Sequence, residues 1–160
     1  MALRQTTVIL ALALQLGAAT VADMSGTWRL NVQKSRWGKH TRPDAGTVTI
    51  EHHERAFKYS GTVTSPNGVV GEPGEATRTY AFDGAIDGKE YPVTGTLAAG
   101  NIVFRREGAN IVTSDFKSSD GKLTQSARTT VSSDGKTLTR TIEEKGPKGD
   151  VSWTEVYDRH

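Results

Sequence analysis

The sequence predicts an all-β protein whose strands form an up-and-down antiparallel β-barrel of about eight to ten strands. Three observations predict this fold. Apolar and polar residues alternate along about ten short runs, Gly-containing turn signals separate many of the runs, and no stretch of about ten residues carries a helical stripe. A meander of this many strands loses its exposed edges when it closes on itself. A two-sheet β-sandwich is the alternative architecture.

The first 22 residues have the composition of a secretory signal peptide. Arg4 precedes an apolar run from Val8 to Leu16, and small residues lead up to Ala22. The run is shorter than the roughly 20 residues that a membrane-spanning helix needs. We therefore expect a signal peptide over residues 1–22 and a single barrel domain over residues 23–160. The mature protein would then be exported, either periplasmic or secreted, with no stable membrane insertion.

Each predicted strand is identified by apolar residues that share one phase of a two-residue period. Polar residues fill the other phase, as expected of a barrel whose outer face contacts water. In chain order, the apolar residues of the runs are Trp28 and Leu30; Val48 and Ile50; Phe57, Tyr59 and Val63; Tyr80 and Phe82; Tyr91, Val93 and Leu97; Ile102 and Phe104; Val112 and Phe116; Leu123 and Val131; Leu138 and Ile142; and Trp153 and Tyr157.

Turn signals between the later runs bring apolar faces into register. Asp134-Gly135 predicts a type I′ hairpin, since that turn needs positive φ at both central residues. The Ser-Ser-Asp-Gly-Lys sequence around it also occurs at residues 118–122. A loop over residues 145–150 would close the last hairpin. The pairs expected from these turns and from Ala99-Gly100 are Val131 with Leu138, Ala127 with Ile142, Phe116 with Gln125, Leu97 with Ile102, and Glu144 with Val151.

Composition and motifs exclude several classes of function. The chain has no cysteine, so no disulfide or thiolate site is possible. A net charge of +2 with interspersed signs predicts no nucleic-acid interface. The adjacent His52 and His53 would face opposite ways on a strand. Together with His40 and His160 they match no known metal-ligand spacing. We therefore expect solvated or rim histidines, and no metal or cofactor. No nucleophile motif, phosphate loop or paired-carboxylate pattern occurs, so we expect no catalytic residue and no enzymatic activity.

Aromatic and polar residues on the inward phase could line a ligand cavity. Aromatic residues in this position more often form a simple core. Three polar residues in the same phase, Ser114, Gln125 and Thr129, favour an interior that is not fully packed. The cavity candidates are Tyr59, Tyr80, Tyr91, Phe104, Phe116, Gln125, Trp153 and Tyr157.

Three arginines also fall on the apolar phase: Arg78, Arg106 and Arg140. One interpretation is an anion site inside the barrel, because guanidinium donors match a carboxylate. The favoured interpretation places Arg78 and Arg106 at the rim and gives Arg140 an internal partner. If Glu144 pairs with Val151, Arg140 pairs with Glu155. We therefore predict an internal Arg140–Glu155 ion pair, enclosed by Leu138, Ile142, Trp153 and Tyr157.

Both ends of the predicted barrel resemble the calycins, the group that includes lipocalins and fatty-acid-binding proteins. The opening stretch Gly26-Thr27-Trp28-Arg29-Leu30 is similar to the Gly-x-Trp strand of that group, which implies structural roles for Gly26 and Trp28. Val156-Tyr157-Asp158-Arg159 resembles the closing strand of the fatty-acid-binding proteins. With residues 31–35 and 87–95, these stretches most resemble small exported bacterial lipocalin-like proteins of unassigned function.

The same resemblance shows two departures. Fatty-acid-binding proteins hold a ligand carboxylate with an Arg-x-Tyr in the last strand, where this chain has Glu155-Val156-Tyr157. Their helix-turn-helix lid lies between the first two strands, and the connection over residues 35–45 is too short to contain it, although it has room for a short helical turn.

Two functions follow as expectations. The first is an exported lipocalin-like barrel that binds a small apolar or amphipathic ligand. The alternative is a periplasmic or secreted protein-interaction module, such as an inhibitor or an envelope accessory factor, with a filled barrel and loops such as Ser65–Gly74 as its contact surface. A continuous internal cavity would favour the first function, and an apolar patch on the loops the second. The sequence does not identify a protein partner.

Overall fold

Ten antiparallel strands make up most of the described chain, which in the computed structural model comprises residues 21–65, 77–97 and 99–160. These three ranges contain no helix, and therefore none that could cross a bilayer. Most of the predicted signal peptide and of the loop Ser65–Gly74 lies outside the described residues. The strands are β1 (Gly26–Leu30), β2 (Ala45–His53), β3 (Ala56–Thr64), β4 (Thr77–Ala85), β5 (Glu90–Thr94), β6 (Gly100–Gly108), β7 (Ile111–Ser118), β8 (Thr124–Val131), β9 (Thr137–Gly146) and β10 (Gly149–Arg159).

The strands close into a barrel in which every strand pairs with its neighbours along the chain. The ring closes where β1 pairs with β10, through Trp28 and Arg159 among others. Gly26 begins β1 with a φ of 128°, and the guanidinium of Arg159 lies 4.3 Å from the centre of the Trp28 ring. The predicted up-and-down barrel is therefore confirmed, and the β-sandwich alternative is wrong.

The barrel has two ends with different connections. We call the end with the short β2–β3, β6–β7 and β8–β9 connections the lower end, and the end with the β1–β2 and β9–β10 connections the upper end. Residues 31–44 join β1 to β2 at the upper end without a helix. Hydrogen bonds from Ser35 N to Asn31 O and from His40 N to Trp37 O form two turns there. Arg36 also forms a bridge with Thr154 of β10, which fixes this connection against the barrel.

The repeated Ser-Ser-Asp-Gly-Lys sequence forms the same turn in both places. At the β8–β9 turn, Gly135 N donates to Ser132 O at 2.9 Å, and Asp134 Oδ1 accepts from Ser132 Oγ and Lys136 N. Only Gly135 has positive φ in this turn, at 68°. The predicted type I′ turn is therefore wrong, because the Asp134 side chain holds a turn that needs positive φ at the glycine alone.

The register expected from those two turns nevertheless occurs. Val131 pairs with Leu138 across the β8–β9 hairpin, and Phe116 pairs with Gln125 across the β7–β8 hairpin. The same face of each strand is therefore buried, as the alternation of apolar residues requires.

The turn expected at Ala99-Gly100 is wrong. β5 ends at Thr94, and Tyr91 rather than Leu97 pairs with Ile102. Leu97 lies outside the strands and is 42% exposed. Its backbone N–H donates to Thr79 O at 2.9 Å, so the chain after β5 turns towards β4 instead of forming a tight hairpin.

The last hairpin has the expected register but a shorter loop than expected. Glu144 pairs with Val151, and the ladder continues to Gly146 and Gly149. The turn is therefore only Pro147-Lys148, not residues 145–150. Gly149 has a φ of 100°, a conformation that glycine adopts at little cost.

Inward side chains form two separate apolar clusters. The larger, which we call the main core, contains 15 buried residues from all ten strands, from the segment before β1 and from the β4–β5 connection. The smaller, which we call the mouth cluster, contains Ala127, Ile142 and Trp153, with Trp37 and Val151 packed against it. The main core consists of Met24, Trp28, Val48, Ile50, Phe57, Phe82, Ile86, Val93, Ile102, Phe104, Val112, Phe116, Val131, Leu138 and Tyr157.

Candidate ligand-binding interior

On β8, β9 and β10, a row of three inward polar residues separates the main core from the mouth cluster. Thr129, Arg140 and Glu155 are direct partners across β8, β9 and β10. The row below them contains Val131, Leu138 and Tyr157 of the main core, and the row above contains Ala127, Ile142 and Trp153 of the mouth cluster. We call Thr129, Arg140 and Glu155 the polar row.

Glu155 accepts hydrogen bonds from three side chains in this arrangement. Arg140 Nη1 donates to Glu155 Oε2 at 3.1 Å, and Tyr157 OH donates to the same oxygen at 3.0 Å. Trp153 Nε1 donates to Oε1 at 2.9 Å. Both carboxylate oxygens are therefore used, and the Arg140–Glu155 pair expected from the register occurs.

The ion pair is only partly enclosed by protein atoms. The side chains of Arg140 and Glu155 are 26% and 14% exposed. Their neighbours on the same face of β9, Leu138 and Ile142, are at most 1% exposed, so that face is turned away from the outer surface. The exposed parts of the pair therefore open into the barrel interior. Burial is the largest influence on the pKa of Arg140 and would lower it, but the Glu155 carboxylate and three nearby tyrosines together raise this pKa above its ordinary value.

Tyrosines from the opposite wall approach the polar row. Burial raises the pKa of Tyr59 to about 12 and also raises that of Tyr80, while the positive charge of Arg140 opposes both shifts. Burial and the charge of Glu155 raise the pKa of Tyr157. The three hydroxyl groups are therefore neutral at physiological pH and can donate hydrogen bonds.

The predicted cavity residues divide between filled and open parts of the interior. Tyr59 packs on Phe82 and Phe104, with ring centres 5.3 and 5.9 Å apart, and Tyr80 packs on Tyr59 at 5.6 Å. Phe104, Phe116 and Tyr157 belong to the main core, and Trp153 to the mouth cluster. The half-buried Tyr91 donates to Asp87 near the lower end, and the half-buried Gln125 donates to Glu144 near the upper end.

The other two inward arginines lie near strand ends, away from the polar row. Arg78, near the start of β4, donates to Thr96 O at 3.1 Å. Arg106, near the end of β6, donates to Ala109 O and has Nη2 3.0 Å from Nε2 of His52. His52 lies near the end of β2, as expected of a rim histidine, but it is only 5% exposed and therefore not solvated. The segment before β1 contributes to this burial, and the backbone N–H of Met24 donates to His52 Nδ1.

The connection between β1 and β2 supplies two side chains that the sequence patterns missed. The His40 ring stacks on Trp153, with centres 3.9 Å apart, and Trp37 packs on the mouth cluster. Neither residue lies in a strand, so the two-residue period gave no signal for them. A tryptophan in a polar connection was the one available sign of a contact. The upper end of the interior is thus covered by aromatic rings rather than by a helical lid.

Two grooves lie on the outer surface, apart from the polar row. One, of about 310 Å³, crosses β2 to β5 and is lined largely by outward residues such as Thr49, Ser60 and Ala81. The other, of about 500 Å³, lies beside β1 and the end of β10. Within residues 21–65, 77–97 and 99–160, no three histidine or acidic side chains are grouped as metal ligands would be.

In fold alone, the closed antiparallel barrel resembles the calycin barrels. The chain is similar in structure to zebrafish ileal bile acid-binding protein, solved in complex with cholic acid, with a TM-score of 0.51 and 14% sequence identity. The match covers 86% of this chain and 98% of that one. At this identity the likeness concerns the fold alone. No protein-family model and no curated protein matches the chain.

Proposed function

We propose that this chain is an exported lipocalin-like barrel that binds a small apolar or amphipathic ligand in its interior. The observation that carries the proposal is the partly exposed Arg140–Glu155 pair between two apolar clusters. Burying charges without compensation is costly, so a barrel filled only by side chains would favour apolar residues at these positions. Polar groups beside apolar walls are the usual composition of a ligand site.

The geometry supports a defined orientation for such a ligand. Its polar end would lie at the polar row, where Arg140 and the tyrosine hydroxyls supply donors. Its apolar part would extend past Trp153 towards the upper end, which requires side chains there to move because Ile142 and Trp153 are 0% and 6% exposed. The structural neighbour is described as binding a bile acid, which is an amphipathic molecule, and this agrees with the proposed ligand class.

Export is the second part of the proposal, and the leader composition of residues 1–22 supports it. N-terminal sequencing of protein recovered from outside the cytoplasm should begin near Asp23. Exported protein that still begins at Met1 or Ala2 would contradict this part.

The binding proposal is tested by native mass spectrometry and dye displacement. Protein purified without added lipid should show a mass shift from a retained ligand. An uncharged apolar dye such as Nile red should bind and be displaced by lipids.

Trp153→Ala should weaken dye binding about tenfold, since it removes the largest ring of the mouth cluster. The adjacent outward substitution Thr154→Ala is the matched control. Failure of every apolar probe to bind the folded protein would refute the proposal.

A protein-interaction module with a filled barrel is the second candidate. The extent of the main core favours it, because 15 buried residues already fill much of the interior. The exposed Leu97 at the upper end offers an apolar contact on a loop. This candidate predicts that apolar dyes do not bind and that Trp153→Ala changes stability alone.

A further inference from the structure

We propose that Glu155 makes the interior selective for uncharged amphiphiles, such as long-chain alcohols or monoacylglycerols, over free carboxylic acids. This inference rests on the proposed function, because it names the ligand class of the same interior. The observation behind it is that the inward arginine already has an internal carboxylate, held by three donors.

The first step concerns how firmly Glu155 is held. Its two oxygens accept from Arg140, Trp153 and Tyr157 at distances of 2.9 to 3.1 Å. A ligand carboxylate that displaced it would break all three hydrogen bonds and leave a buried carboxylate without partners. Displacement is therefore unfavourable, and a ligand must bind beside Glu155.

The second step concerns the charge that such a ligand meets. A carboxylate that approached the free donors of Arg140 would lie close to the Glu155 carboxylate, because the two side chains are in direct contact. Like charges in a poorly hydrated site repel strongly, so one of the two would have to take up a proton or stay outside. An internal charge of this kind excludes competing ligands by repulsion.

The third step concerns what the site offers an uncharged ligand. Arg140 has five N–H donors, of which only Nη1 bonds to Glu155. The neutral hydroxyls of Tyr59 and Tyr80 lie near enough to Arg140 for its charge to affect them. A hydroxyl or carbonyl oxygen can accept from these groups and adds no charge to the pair.

A competition experiment with two ligands of equal chain length tests the inference. Nile red bound to the wild-type protein is displaced by oleyl alcohol or by sodium oleate at pH 8.5. Oleyl alcohol should displace the dye at a concentration at least about tenfold lower than oleate. As the pH is lowered and oleate becomes protonated, the two should converge, with the alcohol curve as internal control.

Three variants then assign the selectivity to Glu155. Glu155→Gln should lower the alcohol-to-oleate preference at least about tenfold, because Arg140 becomes free to pair with the ligand. Glu143→Gln removes the same charge from the exposed outer face of β9 and should leave the preference unchanged. Arg140→Met with Glu155→Gln removes both charges and should retain the preference for the alcohol.

The outcomes separate this inference from the proposed function. If no apolar probe binds the wild-type protein, the proposed function fails. If Nile red binds but oleate displaces it as well as the alcohol does, the binding function stands and the inference is overturned. A folded Glu155→Gln variant with an unchanged preference also overturns it. If Glu155→Gln does not fold, as judged by circular dichroism, the wild-type preference and its pH dependence decide the result.

Discussion

The main core and the mouth cluster occupy the same inward face of the barrel, but their neighbours differ. In the main core, aromatic rings contact one another, with Phe82 and Phe104 4.9 Å apart. In the mouth cluster, Ile142 and Trp153 lie between a polar row and a connection without regular structure. Both clusters are tightly packed, since Ile142 and Trp153 are 0% and 6% exposed, but the mouth cluster borders the partly exposed charges of the polar row. The comparison therefore assigns stability to the main core and the proposed binding to the polar row beside the mouth cluster.

Substitution of two tryptophans, one in each region, should give the largest difference in the free energy of unfolding. Trp28 is 0% exposed in the main core, and its Nε1 donates to Met24 O at 2.9 Å. Trp37 is half-buried beside the mouth cluster. Trp28→Ala should lower the free energy of unfolding by about 3–5 kcal/mol, and Trp37→Ala by about 1 kcal/mol. Urea unfolding measures both, and equal losses would contradict the division into two regions.

The polar row should show strong coupling between its two charges. Arg140→Met and Glu155→Gln should each cost about 3 kcal/mol, since each leaves a partner charge unpaired in the interior. The double variant should recover much of the loss. Chemical denaturation of the four proteins gives the coupling energy directly, and strictly additive losses would show that the pair is not coupled.

Gly61 of β3 tests how tightly side chains pack beside the main core. A Cβ added to Gly61 would lie 2.3 Å from the ring of Tyr80, whose hydroxyl end is also buried. Gly61→Ala should therefore destabilise the barrel by about 1–3 kcal/mol through overpacking. Gly146→Ala is the control, because its Cβ would meet only Leu123 at 3.9 Å. Thermal unfolding should separate the two variants, and a neutral Gly61→Ala would indicate that the Tyr80 ring moves freely.

The smallest expected effect is a pH dependence of the free energy of unfolding that is caused by His52. Burial, and next the charge of Arg106, lower its pKa below the ordinary 6.5, while Asp23 opposes the shift. The unfolded chain therefore binds a proton at His52 more readily than the folded protein does. The free energy of unfolding is highest above about pH 6.5, where His52 is neutral in both states, and it declines as the pH falls towards the folded pKa. His52→Gln should reduce this decline, measured by urea unfolding at several pH values. His53→Gln, at the exposed neighbouring position, should change it much less, because the charge of His53 is the weakest influence on the His52 pKa.

The hairpins of the C-terminal half could be predicted from the sequence because the residues that determine their register lie close together along the chain. Alternation along β8, β9 and β10 defines the buried face, and the turn residues between them define which residues are opposite. The register that brings Arg140 to Glu155 follows from these two facts. It needed no knowledge of the rest of the barrel.

The features that the sequence did not predict depend on distant contacts. The chain after β5 turns towards β4 because Leu97 bonds to Thr79, which no local pattern shows. His52 is buried by the segment around Met24, 28 residues away. The His40–Trp153 stack joins an irregular connection to the last strand. Such contacts between distant segments are set by the tertiary packing of the whole barrel.

Closure of the ring has a consequence for self-association. A strand with an unpaired edge can template the addition of strands from other molecules, and a closed ring of the ten described strands presents no such edge. Closure depends on the short β1, which pairs with β10 on one side and β2 on the other. Separation of β1 would therefore expose two edges at once, on β2 and on β10. The first strand of the barrel thereby protects the protein from edge-to-edge aggregation.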